Sequence, residues 1–202
     1  MTLPAFFDQV PRLTLRDPLA EFLGAAEGGL IEYSYADAVR LAGHSCPTVA
    51  GAYLLTSRAL GALYPETIPE RGALQVHCGG SQEDGVVGVI ASVIGLLTGA
   101  AGVGGFKGLA GAYSRRQLLQ FGLGGGRDAF RFQRTDTGQH LTLGLDLSPV
   151  PGDPQMGVLL QALLSDTATP EMAATFRHLW QDRVRRILLE HWDDPEVVVM
   201  TD

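Results

Sequence analysis

The sequence predicts an α+β fold: a mixed β-sheet packed with helices, forming a single domain with a helical C-terminal extension. Three observations point there. Alternating apolar runs and apolar residues at three- and four-residue steps both occur along the 202 residues. They do not alternate strictly, as repeated strand–helix–strand units would. With 46% hydrophobic and 18% charged residues, the composition is globular and the length supports one well-buried core. We divide the chain into a peripheral N-terminal segment (1–29), an α+β core (30–148) and a helical extension (149–202).

Asp17-Pro18 starts a short helix through Leu23, and Gly28-Gly29 ends that segment. LIEYSY reads as a strand, and Ser34 caps a helix through Leu41 that Gly43 stops. Pro47 suits the first turn of the next helix, where its missing N–H costs nothing. That helix ends near Tyr64-Pro65. Residues 72–78 (GALQVHC) are a strand. SQED then opens an apolar helix over 86–97, with Glu83 and Asp84 expected in its first turn, where acidic groups meet the helix dipole favourably. A glycine-rich loop, GAAGVGGFKGLAG, leads into YSRRQLLQFG, read as a short helix or irregular. Ala129 to Arg134 and His140 to Leu145 alternate around TDTG, a β-hairpin. Pro149, Pro151 and Pro154 mark a linker. QMGVLLQALLS and a segment from Thr169-Pro170 are helices, and EVVVM is a closing strand.

A net charge of −7 argues against nucleic-acid or anionic-membrane partners, which need clustered Lys and Arg. Arg183, Arg185 and Arg186 form one basic cluster, read as a solvated helix face. The uncharged stretch Gly85 to Phe106 has the length of a bilayer span, but its seven glycines favour a buried helix followed by a loop. The first residues lack the basic-then-apolar run of a signal peptide, and two cysteines do not make a disulfide framework. The expectation is a cytoplasmic chain with no membrane segment.

The chemistry concentrates in AGHSCPTVAG, Ala42 to Gly51. A helix N-terminus offers free N–H groups and a positive dipole end, which stabilise a thiolate at Cys46. His44 supplies an imidazole, the other common ligand of soft divalent metals. Cys78 and His77 are candidate partners, although strand parity turns them to opposite faces, Cys78 inward with Leu74 and Val76. Glu83 and Asp84 are alternative oxygen ligands or a general base, and Lys107 could steady an anion. The glycine loop matches no phosphate or dinucleotide pattern, because Phe106 precedes Lys107 and no strand leads into the loop. No serine sits in a nucleophile-elbow pattern, and His140 and His191 read as structural.

GHSCP followed by the small-residue helix TVAGAYLLTSRAL resembles the signature of the E-subunit family of formylmethanofuran dehydrogenase, as a bacterial stand-alone member. The likeness runs over about residues 30–115, through a strand, an acidic segment, an apolar helix ending in LTG at Leu97 to Gly99, and a glycine loop with lysine. It implies an α+β fold, a homodimer and a metal, commonly Zn²⁺, at His44 and Cys46. Two features depart from the family. Valine, alanine and serine stand where many members place a cysteine and an aspartate before LTG, and the C-terminal zinc ribbon of many members is missing. The archaeal dehydrogenase reaction needs other subunits and a tungsten or molybdenum pterin, so that activity is not transferred. Three functions stay open: a non-catalytic metal-binding or accessory component of a redox or one-carbon complex, a small metalloenzyme with an open metal position, and metal-free thiol chemistry at Cys46.

Overall fold

A computed structural model describes residues 3–122, 124, 126 and 128–201. A 3₁₀ turn, Ala5–Gln9, opens them and is followed by β1 (Leu13–Arg16), α1 (Pro18–Phe22), β2 (Leu30–Tyr33), α2 (Tyr35–Ala42) and α3 (Pro47–Leu63). Then come β3 (Leu74–Cys78), α4 (Val87–Thr98), β4 (Leu119–Phe121), β5 (Ala129–Arg134) and β6 (His140–Leu145). The chain closes with α5 (Met156–Leu164), α6 (Pro170–Arg185), a π-helical turn at Arg186–Glu190 and β7 (Val198–Met200).

Five strands form one mixed sheet in the order β4-β3-β5-β6-β7, with β3 and β4 parallel and the other neighbours antiparallel. A separate antiparallel pair joins β1 to β2. This is the α+β architecture expected. The strand β4 lies in the stretch read as a short helix or irregular, and β1 carries no element in the sequence reading. Both are too short, at three and four residues, to show a period against their surroundings.

Helix α3 is the centre of the molecule. Twelve of its 17 residues are buried, and it packs against α2, α4 and β6. Its interior hydroxyls stay satisfied by bonding back one turn: Thr56 Oγ1 donates to Ala52 O at 2.8 Å and Ser57 Oγ to Tyr53 O at 2.7 Å. A Cβ on Gly51 would meet Leu145 Cδ2 at 2.7 Å; the bare glycine lets the helix lie close on β6. Helix α4 spans 12 residues, and no helix among the described residues is long and apolar enough to cross a membrane.

The first thirty residues are less peripheral than expected. Phe7, Val10 and Leu15 enter the main core at 5%, 3% and 0% exposure, and Tyr53 Oη donates to Pro11 O at 2.9 Å. The extension is likewise integral. Val184, Ile187 and Leu188 are fully buried, and β7 completes the sheet against β6. The basic cluster is more than a solvated face: Arg183 Nε donates to Val150 O at 2.7 Å and Arg186 Nη2 to Pro151 O at 2.8 Å, pinning the proline linker.

A buried ion cluster ties the N-terminal segment to the glycine loop. Asp17 caps α1 by accepting from Leu19 N at 3.0 Å and Ala20 N at 3.3 Å. It also receives Arg71 Nη1 at 2.9 Å and Arg115 Nη2 at 2.6 Å. Burial alone would raise the Asp17 carboxyl; the Arg71 hydrogen bond and the Arg115 charge outweigh it and hold the group below its usual range.

Candidate functional site

The turn between α2 and α3 is built by local chemistry at each end. Asp37 accepts from both Ser34 N and Ser34 Oγ at 2.8 Å, fixing the start of α2. Gly43 ends it in the left-handed region, φ 76°, where its N–H reaches Val39 O. Pro47 then opens α3 with Cys46 as the capping residue, and Cys46 Sγ accepts from Val49 N at 3.5 Å. The sulfur thus occupies the place a serine or aspartate oxygen takes at most helix starts.

His44 is exposed, and its Nδ1 lies 3.0 Å from Ala42 O. A carbonyl only accepts, so Nδ1 carries a proton, and in the neutral ring Nε2 is the nitrogen with the lone pair. Ser45, between the two candidate ligands, is a hub. Tyr35 Oη is 2.9 Å from Ser45 Oγ, which itself donates to Gln181 Oε1 at 3.0 Å. Because Ser45 Oγ spends its proton on Gln181, Tyr35 is the donor to Ser45. The Ser45 carbonyl accepts from Trp180 Nε1 at 2.9 Å and from Gln181 Nε2 at 3.2 Å. Burial raises the Tyr35 hydroxyl, which keeps its proton and its donor role.

Sequence reasoning missed Ser45, Tyr35, Trp180 and Gln181 as parts of this turn. Ser45 stands inside the motif and carried a visible signal. Trp180 and Gln181 lie 135 and 136 residues further on, where nothing local marks them.

The remaining candidates are not brought to this turn. Cys78 is fully buried on β3, paired across to Phe121 and Phe130, and burial pushes its thiol up to about 12. His77 takes the other face of the strand, opposite Arg131. Burial and the Arg131 charge lower its imidazole, keeping it neutral at pH 7. Parity therefore holds through residue 78, and the two side chains do not share an ion.

Glu83 and Asp84 stand before α4 rather than in its first turn. The helix begins at Val87, and Asp84 Oδ2 instead accepts from Ser81 N at 2.8 Å. The intervening Gly85 has φ 51° and breaks the helical path. Both carboxylates and Lys107 are exposed. Among the described residues no group of three or more His, Cys, Asp or Glu side chains is disposed to hold a metal ion.

A cavity of about 310 Å³ opens beside the motif. Phe7, Val39, Phe176 and Trp180 give it apolar walls, and His44 and Arg177 border it. Glu83, Asp84, Lys107, His77 and Cys78 do not line it. Cys46 is outside its wall too, 8% exposed in the main core.

His44 and Cys46 bring one nitrogen and one sulfur donor type to this turn. In the neutral ring Nε2 of His44 has the lone pair while Nδ1 is held by a backbone carbonyl, the usual outer support of a metal-bound histidine. Cys46 supplies the sulfur. A closed four-ligand structural site is not offered by the described residues. No protein-family model matches the chain, and no curated protein matches it.

Proposed function

We propose that the chain is a metal-binding protein in which His44 and Cys46 hold a divalent cation, Zn²⁺ first among them, with coordination positions left open. One observation carries this reading: the His44 imidazole, its Nδ1 tied to Ala42 O, stands two residues before a sulfur that caps a 17-residue helix. An open-shell zinc ion, when bound, supplies a Lewis acid and an activated water. The chain's own contribution is to orient the two donors. Ser45, clamped by Tyr35, Trp180 and Gln181, fixes the backbone between them. A donor from a second copy in a homodimer, or from another protein of a redox complex, would fill a further position. The motif's likeness to the E-subunit family of formylmethanofuran dehydrogenase supports the same assignment.

The lack of a third donor among the described residues favours a second reading, metal-free thiol chemistry at Cys46. Elemental analysis of the purified protein separates the two. The metal reading expects about one zinc per chain or per pair of chains, at least tenfold less in Cys46→Ser and in His44→Ala, and full loading in Cys78→Ser. Undiminished loading in Cys46→Ser would remove that sulfur as a ligand. No metal in the wild type, with rapid alkylation of Cys46, would leave the thiol reading.

A further inference from the structure

The cavity beside His44 has a chemistry of its own. Its body is apolar and aromatic: Phe176 and Trp180 sit one turn apart on α6 with ring centroids 5.5 Å apart and tilted by 30°, and Phe7 and Val39 also line it. Its rim is basic. Arg177 and His44 border it, and none of its lining residues is acidic, although acidic residues outnumber basic ones 22 to 15 in the chain. Arg177 is exposed and has no ion-pair or hydrogen-bond partner among the described residues, unlike Arg183, Arg185 and Arg186 further along the same helix and the turn after it.

We propose that this cavity binds a small organic carboxylate with an aromatic or branched apolar body, the body between Phe7, Val39 and the α6 aromatics and the carboxylate at Arg177. About 310 Å³ equals the share of roughly ten waters at ~30 Å³ each, which suits a ligand of about ten non-hydrogen atoms. Apolar walls with one cationic corner discriminate by charge, because a neutral or cationic isostere leaves the guanidinium unpaired or repelled. The inference goes beyond the metal reading and does not need it, since Arg177 supplies the charge.

The test is titration calorimetry of the chelator-treated full chain with phenylacetate, phenylacetamide and phenethylamine, repeated with one equivalent of zinc. Phenylacetate is expected to bind at least tenfold more tightly than either isostere. Arg177→Gln should cut the preference over the amide to threefold or less, and Phe176→Ala should weaken phenylacetate binding. Circular dichroism on both variants verifies the fold. Equal binding of the three probes, no binding of phenylacetate, or an undiminished preference in Arg177→Gln overturns the proposal. A chain that selects phenylacetate but holds no zinc keeps this inference and loses the metal reading. One that holds zinc but ignores phenylacetate does the reverse.

Discussion

At the scale of single residues, the two buried cysteines of the chain are held in different ways. Cys46 caps a helix and accepts an N–H; Cys78 is sealed in the sheet between two phenylalanines. A thiol pushed up to about 12 is, at pH 8, on the order of a thousandfold less ionised than a free one of pKa about 8.5. Iodoacetamide at pH 8 followed by peptide mass mapping should therefore label metal-free native protein at Cys46, 8% exposed, ahead of Cys78, 0% exposed, which stays unmodified until denaturant is added. Native labelling of Cys78 would contradict the burial argument. Strand alternation was enough to read this contrast from the sequence, since Leu74, Val76 and Cys78 share a parity. The Ser45 hub was not legible, because its partners come from α2 and α6 and meet only when the chain folds.

Elements show the same division. Helices with capping chemistry on the chain (Ser34 with Asp37, Pro47, Thr169 with Pro170) stand where the sequence placed them, to within about two residues. The hairpin strands match residue for residue. The strands that were missed, β1 and β4, exist through their partners, β2 and β3, and pairing leaves no local trace. The ion cluster at Asp17 makes α1 and the glycine loop one unit. A Cβ on Gly72, whose φ is 89°, would meet Arg115 Nη1 at 1.3 Å, so this corner requires glycine. Asp17→Asn leaves the buried Arg115 and the half-buried Arg71 short of a charge and is expected to cost about 3 kcal/mol at pH 7. Because the folded Asp17 carboxyl lies below its unfolded value near 3.9, its contribution is fully present above about pH 4. It is lost as pH falls through the lower, folded value. Urea unfolding at several pH values should show a constant difference between wild type and variant near neutrality that shrinks below pH 4. A difference independent of pH down to 2 would contradict the role given to the cluster.

The whole molecule explains why a motif of five residues needs 202. GHSCP lies between α2 and α3, but its middle residue is held by α6, and α6 is docked through Val184 and the π-helical turn that follows it. That turn places Ile187 and Leu188 in the core, and β7 then closes the sheet. The segment read as an extension is thus what orients the turn, a long-range relation that periodicity does not encode. The central claim is that Cys46 and His44 together grip a cation at the start of α3. Cobalt substitution tests it most directly. Co²⁺ added to the metal-free full chain should produce a thiolate-to-cobalt charge-transfer band that persists in Cys78→Ser, disappears in Cys46→Ser and weakens in His44→Ala. No such band in the wild type, or an unchanged band in Cys46→Ser, would contradict the claim.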